Sequence, residues 1–273
     1  MTESAAPVRI ERDGDVAVVV LDSPPLNLFT PAVFDALEEV TGELVGLTDP
    51  ARDDRARALL FEARGKVVSG GVDVTFFRDI AEGPEPAQRG ADLWARLLRV
   101  AQTVEDLPVP TVFAAHGLCL TAAFELALAC DILLAGEKAS FGLVEIVVGL
   151  TPSMGGPQRL AERAGPARAK ELIFTGERYK ADVLERWNVV NRVLPDDGFA
   201  EAARAYAHRV AAGPTVAHAV TKRLVAASVR DGARAADALV PEVSGALFAT
   251  ADLRGAVASF LSDGPGKATY SGR

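Results

Sequence analysis

The feature that most constrains the fold is an alternation of short apolar, β-branched segments with longer segments of helical periodicity. The run Val16–Leu21 is apolar throughout, and further short apolar runs occupy residues 58–61, 111–115 and 132–135. Apolar runs of this length, bounded by turn residues, predict buried strands. Residues 91–107 repeat apolar positions at helical spacing until two prolines follow. Strands that alternate with helices predict an α/β fold.

The chain changes character after Pro195. The last predicted strand occupies residues 190–193, whereas residues 199–260 are rich in alanine and show helical patterns without a convincing strand. We therefore predict two regions, a core domain of residues 1–195 that contains the active site and a C-terminal helical region of residues 196–273. The helices of the second region are too apolar to stay fully exposed, which predicts that they mediate oligomerisation.

The charge balance argues against two classes of partner. The chain has 29 basic and 37 acidic residues, a net charge of −8. Such a surface repels nucleic-acid phosphates and anionic lipids. The most apolar stretch, residues 118–135, is interrupted by Glu125 and Asp131, so it falls short of the apolar span of about 20 residues that a membrane helix needs. We predict no nucleic-acid and no membrane partner.

The cysteines and the N-terminus indicate the cytoplasm. The only two cysteines, Cys119 and Cys130, lie in an apolar stretch, which gives little support to a disulfide framework. Residues 1–7 include the acidic Glu3 and lack the basic segment followed by an apolar segment that is typical of a secretory signal. The three histidines show no metal-ligand spacing with the cysteines. We predict a soluble cytoplasmic protein without a metal ion.

Glu125 is the most informative residue for function. It is the only charged residue between positions 120 and 130, and Glu145 lies in a similarly apolar segment. A buried carboxylate is costly unless it is paired, and it tends to keep its proton. If both carboxylates face one cavity, their pKa values are driven apart, so that one serves as a base and the other as an acid. A salt-bridged core position for Glu125 and an exposed position for Glu145 are the alternatives.

A loop and a helix start could supply hydrogen bonds to an anion. Residues 68–73 contain the pair Gly70-Gly71, which lets the backbone approach a ligand closely. The helix predicted to begin at Thr121 offers free N–H groups and the positive end of its dipole. Donors from both segments that met on one oxygen would form an oxyanion hole. A plain turn is the alternative for the loop.

Five motifs occur in an order that is hard to produce by chance. They are Ser69-Gly70-Gly71-Val72-Asp73, the segment from Ala115-His116-Gly117 to Glu125-Leu126-Ala127, Cys130-Asp131-Ile132, the segment from Ala139-Ser140-Phe141-Gly142 to Glu145, and Gly155-Gly156-Pro157-Gln158-Arg159-Leu160. In these motifs the chain resembles the enoyl-CoA hydratase/isomerase family, also called the crotonase family. The similarity covers residues 8–260.

The resemblance implies a crotonase-like spiral of ββα and βββα units with a helical C-terminal trimerisation region. It also implies a homotrimer or a dimer of trimers that acts on an acyl-CoA thioester, with no cofactor because coenzyme A is part of the substrate. The favoured activity is that of an enoyl-CoA hydratase, a lyase of fatty acid metabolism that adds water to the 2,3 double bond. An enoyl-CoA isomerase and an acyl-CoA-binding relative with little turnover are the alternatives.

The resemblance also implies a role for particular residues. The backbone N–H groups of Val72 and Ala122 would hold the thioester oxygen as it becomes an enolate. Glu125 and Glu145 would position and split water, and because isomerases often lack one of these glutamates, the presence of both favours hydration. The substrate and its CoA portion would contact Leu26, Gly70, Gly71, Asp73 and Val74.

The chain departs from the family pattern around the predicted oxyanion hole. Thr121-Ala122-Ala123 stand where the family usually has three glycines, and Val72 stands where alanine or glycine is usual. The backbone N–H groups are present whatever the side chain, but the added Cβ atoms crowd the region. We therefore expect a narrowed or altered acyl pocket, or weak activity.

Overall fold

A six-stranded sheet forms the centre of the molecule in the computed structural model, which describes residues 6–273. In spatial order its strands are β1 (Val8–Asp13), β2 (Val16–Leu21), β3 (Ala58–Ala63), β4 (Thr111–Ala115), β6 (Ile132–Gly136) and β9 (Arg192–Leu194). Strands β1 and β2 form an antiparallel hairpin, and every other neighbouring pair is parallel. The predicted α/β class is confirmed.

A second, smaller sheet lies at the candidate site. Its strands are β5 (Leu118–Leu120), β7 (Ser140–Gly142) and β8 (Tyr179–Lys180). Strand β5 is parallel to β7, and β8 is antiparallel to β7. Strands this short are stable only as part of a larger packed structure. Their function here is to fix the segments that follow them.

Helices cover the large sheet and form the C-terminal region. They are α1 (Pro31–Leu47), α2 (Val74–Ala81), α3 (Pro86–Asp106), α4 (Ala122–Ala129), α5 (Gly156–Ala164), α6 (Pro166–Thr175), α7 (Ala181–Arg186), α8 (Phe199–Ala211), α9 (Thr215–Asp231), α10 (Ala233–Gly245) and α11 (Ala251–Asp263). Two short 3₁₀ helices span Glu145–Val148 and Ala246–Ala249.

Strand β2 shows that the central sheet is buried on both faces. Ala17 and Val19 belong to the larger apolar core, together with residues of α1, α3 and α4. Val16, Val18 and Val20 belong to a second core on the other face, together with residues of α8. Successive side chains of a strand point to opposite faces. A strand that is buried on both faces therefore needs an apolar residue at every position.

Helix α8 packs on the sheet although it follows Pro195 in sequence. Phe199, Ala203, Ala207 and Ala211 are buried in the second core, against β2, β3 and β4. Their spacing places one stripe towards the sheet, and its three alanines let the helix approach the sheet closely. The division of the chain into two units at Pro195 stays a prediction.

Two predicted elements differ in their bounds. The helix expected at residues 91–107 begins at Pro86, because proline fits the first turn of a helix. The last strand is Arg192–Leu194 rather than residues 190–193. The N–H of Val190 donates to the Leu184 carbonyl oxygen at 3.2 Å and closes the turn after α7, so pairing with β6 starts later.

No helix within residues 6–273 is both long enough and apolar enough to cross a lipid bilayer. Helix α3, the longest of these helices with 21 residues, is amphipathic and carries several charged side chains. Of the N-terminal segment interpreted above as lacking a secretory signal, residues 1–5 lie outside the part that the structure describes.

Candidate active site

Two parallel strands carry Glu125 and Glu145 to the same region. Strand β5 pairs with β7 so that Leu120 lies opposite Gly142, and the Thr121 N–H donates to the Gly142 carbonyl oxygen at 2.9 Å. Glu125 lies in the first turn of α4, directly after β5, and Glu145 begins the 3₁₀ helix after β7. Parallel neighbours end at the same edge of a sheet. The two glutamates therefore meet although they are far apart in sequence.

Backbone N–H groups hold the carboxylate of Glu125. Glu125 is only 3% exposed, and its Oε2 accepts hydrogen bonds from the N–H of Met154 at 2.8 Å and of Gly156 at 2.7 Å. The positive charge of Arg159 favours the ionised form, but the guanidinium itself pairs with Glu105 at 2.5 Å. Glu125 is thus held by amides from the start of α5 and not by a salt bridge, the alternative considered from sequence.

The two glycines at the start of α5 leave space for Arg159 and Glu125. Gly155 has a φ of +101°, and a Cβ atom there would collide with the Arg159 guanidinium. A Cβ atom on Gly156 would lie 2.9 Å from Glu125 Oε2 and 3.0 Å from its Cγ, closer than packed side chains allow. Glycine at position 156 therefore lets the backbone N–H groups reach the carboxylate, and glycine at position 155 leaves room for the Arg159 side chain.

Glu145 turns its carboxylate inward. The residue is half-buried, and its Oε2 is fully buried without a hydrogen-bond partner in residues 6–273. The next three residues, Ile146, Val147 and Val148, are exposed. The segment therefore presents apolar side chains to the surface and a carboxylate to the interior, which is the opposite of the exposed position considered from sequence.

Burial raises the pKa values of both carboxylates, and the negative charge of Glu145 adds to the shift at Glu125. Burial, followed by the negative charge of Glu145, raises the pKa of Glu125 to about 8 against the opposing effect of the two N–H donors. Burial raises the pKa of Glu145 to about 7. Two groups that interact in this way titrate as a pair. Burial therefore favours a bound proton on these carboxylates near neutral pH, which acid–base chemistry needs.

The glycine-bearing loop runs beside β5. The Ser69 N–H donates to the Leu118 carbonyl oxygen at 3.0 Å, and the Leu120 N–H donates to the Ser69 carbonyl oxygen at 3.2 Å. The Ser69 hydroxyl accepts from the Gly71 N–H at 3.0 Å. Because these bonds fix the loop against the strand that leads into α4, it is more than the plain turn that sequence left open.

The two N–H groups predicted to form the oxyanion hole lie on these adjoining segments. Neither Val72 nor Ala122 donates its N–H to another group within residues 6–273. Ala122 is the first residue of α4, where N–H groups lack partners inside the helix. The residues on either side of Val72 are hydrogen-bonded to Phe29. The Phe29 N–H donates to the Gly71 carbonyl oxygen at 2.9 Å, and the Asp73 N–H donates to the Phe29 carbonyl oxygen at 3.1 Å. Their joint action on a substrate oxygen stays a prediction.

Thr121, which precedes α4, has an unusual backbone conformation. Its φ is +50° and its ψ is −124°, a region that β-branched residues rarely occupy. Its Oγ1 is buried and has no hydrogen-bond partner among the residues that the structure describes. A Cβ atom on Gly71 would lie 3.3 Å from this oxygen. The hydroxyl is therefore located between the loop and the helix start.

The residues predicted to contact the substrate border the same loop. They are Leu26, Gly70, Gly71, Asp73 and Val74. The Gly70 N–H donates to the Leu26 carbonyl oxygen at 2.8 Å, and the side chains of Leu26 and Val74 are exposed. Asp73 has a structural role, because its carboxylate caps α2 by accepting from the N–H of Thr75 at 3.0 Å. This helix has no counterpart among the elements predicted from sequence.

Sequence reasoning assigned no role to the residues that hold Glu125. The Gly156 amide and the buried Arg159 come from a motif that served only as a family match, and Met154 immediately precedes that motif. The available signal was Gly155-Gly156, because a glycine pair at a helix start permits close backbone approach. The group that this backbone approaches is Glu125, about 30 residues earlier in the chain, and no local sequence pattern indicates that contact.

Within residues 6–273, no group of three or more His, Cys, Asp or Glu side chains could hold a metal ion. His116 Nε2 lies 3.0 Å from the Gly65 carbonyl oxygen, and His208 Nε2 lies 3.0 Å from Asp13 Oδ2. Cys119 and Cys130 are free and buried, and burial raises the pKa of both thiols.

Comparisons with known proteins agree on one family. The sequence profile of the enoyl-CoA hydratase/isomerase family matches residues 11–267. A short-chain-enoyl-CoA hydratase of Clostridium acetobutylicum is 30% identical over 93% of this chain and 94% of its own. A Mycobacterium bovis protein named "probable enoyl-CoA hydratase" is 35% identical over 77% of each chain. The crystal structure of an enoyl-CoA hydratase subunit from Geobacillus kaustophilus superposes with a TM-score of 0.85 at 26% identity and covers 98% of each chain.

Proposed function

Because this chain belongs to the enoyl-CoA hydratase/isomerase family, we propose that it is an enoyl-CoA hydratase, which adds water across the 2,3 double bond of an acyl-CoA thioester. The observation that carries this proposal is the pair of inward-facing carboxylates, Glu125 and Glu145, on neighbouring strand ends, where burial raises the pKa of both. A relative of similar length that is named a short-chain-enoyl-CoA hydratase supports the same activity.

The reaction adds the oxygen of water to C3 and a proton to C2. The ionised carboxylate accepts a proton from water as the new C–O bond forms, and the π electrons move towards the thioester oxygen. The N–H groups of Val72 and Ala122 stabilise the resulting enolate, which is the largest contribution expected from such a site. The enolate collapses as C2 takes a proton from the protonated carboxylate. One proton is taken up and one is delivered, so the pair ends with the same total charge.

The substrate itself supplies coenzyme A, so the proposed reaction needs no further cofactor. The proposed location is the cytoplasm, and the proposed assembly is a homotrimer or a dimer of trimers. The loop at residues 68–73 and the exposed side chains of Leu26 and Val74 would contact the acyl-CoA as it enters.

Isosteric substitution of each glutamate tests the mechanism. We expect Glu125→Gln and Glu145→Gln each to lower the hydration of crotonyl-CoA by roughly two to four orders of magnitude, because each removes a positioned proton donor or acceptor. Formation of 3-hydroxybutyryl-CoA measures the rate. Glu137→Gln, at an exposed position near the start of β7, is the matched control and should retain full activity.

The outcomes separate the three activities considered. If either variant keeps wild-type turnover, the two-glutamate mechanism is wrong. A wild-type enzyme that moves the double bond with a single essential glutamate would be an isomerase. Thermal stabilisation by acyl-CoA without any product would identify a binding protein, since a ligand at 100 times its Kd stabilises the native state by about 2.7 kcal/mol.

A further inference from the structure

Thr121 combines three properties that a purely structural residue seldom combines. It is a β-branched residue at a φ of +50°, it is only 6% exposed, and its hydroxyl has no hydrogen-bond partner in residues 6–273. A buried polar group without a partner destabilises the folded state, and so does a strained backbone. Groups that carry such costs are enriched at functional sites.

Two other buried threonines, Thr41 in helix α1 and Thr48 directly after it, show the ordinary arrangement. The Thr41 hydroxyl donates to the Leu37 carbonyl oxygen at 2.9 Å, and the Thr48 hydroxyl donates to the Leu44 carbonyl oxygen at 2.8 Å. Both residues satisfy their hydroxyl one helical turn back. Thr121 lies at a helix start, where no preceding turn offers a carbonyl group.

The hydroxyl lies between the two segments that carry the N–H groups assigned to the thioester oxygen. Thr121 immediately precedes Ala122, and the hydroxyl borders Gly71, which immediately precedes Val72. Each of the two N–H groups is thus one residue away in the chain from a residue that carries or borders this hydroxyl. A threonine hydroxyl rotates freely and can direct its proton to an oxygen atom that accepts from these N–H groups.

We propose that the Thr121 hydroxyl donates a third hydrogen bond to the thioester oxygen of the substrate, which makes Thr121 a catalytic residue. This inference rests on the proposed hydratase function. The bond strengthens as the oxygen becomes an enolate, because hydrogen bonds to charged acceptors are shorter and stronger than those to neutral ones. An interaction of this kind raises kcat more than it lowers KM.

Three variants test the proposal on crotonyl-CoA. Thr121→Val keeps the shape and removes the hydroxyl, and we expect kcat to fall about 10- to 100-fold while KM changes less than about threefold. Thr121→Ser keeps the hydroxyl and should retain kcat within about threefold. Thr41→Val is the control for removing a buried hydroxyl and should leave kcat unchanged.

Thermal unfolding adds a readout that a structural role would not reproduce. Thr121→Val should raise the Tm, because it removes an unsatisfied polar group, whereas Thr41→Val should not, because it removes a satisfied one. A variant that is more stable and less active identifies a hydroxyl kept for function. If Thr121→Val retains wild-type kcat, or if Thr121→Ser loses as much activity as Thr121→Val, the proposal is overturned.

Binding separates this proposal from the proposed function. Acetoacetyl-CoA ionises to an enolate and butyryl-CoA does not, so the ratio of their Kd values reports the stabilisation of an enolate oxygen. Thr121→Val should weaken acetoacetyl-CoA at least about fivefold more than butyryl-CoA. An unchanged ratio would overturn the role of Thr121 even in an enzyme that hydrates crotonyl-CoA. A wild-type protein without hydration activity would instead refute the proposed function, and a changed ratio would still support the hydrogen bond.

Discussion

Glu125 holds a proton at pH values where an exposed glutamate is ionised. Its pKa lies near 8 in the folded protein, raised chiefly by burial and by the charge of Glu145, against an ordinary value near 4.5. Between these two values the native state binds more protons than the unfolded state. The free energy of unfolding therefore decreases as the pH rises through this window. Below about pH 4.5 the full stabilising contribution of Glu125 is present.

The glutamates predict a specific dependence of stability on pH. The Tm of the wild-type protein should fall between about pH 4.5 and about pH 8, as the buried pair is forced to ionise. Glu125→Gln removes one ionisable group and keeps its oxygen available to the Met154 and Gly156 N–H donors. The Tm of this variant should fall less over the same range, as measured by calorimetry.

Glu137→Gln, at an exposed site, should follow the wild-type curve. A Glu125→Gln curve parallel to the wild-type curve would show that burial of Glu125 does not raise its pKa.

At the scale of elements, the start of α5 determines where the Glu125 side chain lies. Gly156 is in the first turn of this helix, and its N–H donates to Glu125 Oε2. Gly156→Ala places a Cβ atom 2.9 Å from that oxygen and 3.0 Å from Glu125 Cγ. Because Glu125 is only 3% exposed, its carboxylate has little free space and loses its position against the Met154 and Gly156 N–H groups. We expect kcat for crotonyl-CoA to fall by at least about tenfold.

Gly90→Ala in α3 provides the control for this substitution. No atom lies within 4 Å of a Cβ atom built there, so the change should leave kcat unaltered and stabilise the helix by up to about 1 kcal/mol. If Gly156→Ala is as active as Gly90→Ala, the position of Glu125 does not depend on close approach of α5.

At the scale of the whole molecule, the C-terminal helices carry apolar side chains on their surface. Phe248, Phe260 and Leu261 are each at least 60% exposed, and Val225 and Val229 of α9 are also exposed. Exposed apolar patches of this kind indicate protein–protein contacts. We expect a trimer or a dimer of trimers at micromolar concentration, measured by light scattering coupled to gel filtration. Particles of 28.7 kDa alone would contradict this prediction.

A substitution on α11 tests whether these helices form the contact. Leu261→Glu places a charge at a position that is 80% exposed, so the fold should be kept while the apparent mass decreases. Ser262→Glu, one residue further along the same exposed helix, adds the same charge next to the apolar stripe. Equal masses for the two variants and the wild type would place the contact elsewhere.

Local sequence patterns were enough to predict the α/β class of the fold and to identify Glu125 as an unusual residue. The continuous apolar run of β2 indicates a strand buried on both faces, because each position contacts one of the two cores. Glu125 stands out as the only charge in an apolar helix, and the structure places it in the interior. Both inferences depend on the chemistry of neighbouring residues in the chain, which sequence records directly.

Only the tertiary structure decided what these residues contact. The pairing of β5 with β7 brings Glu125 near Glu145, and the start of α5 supplies the N–H groups of Met154 and Gly156. The positive φ of Thr121 has no local signal either, because β-branched residues disfavour it. Contacts between distant segments depend on sheet pairing and close packing, which overcome local preference only when the whole chain has folded.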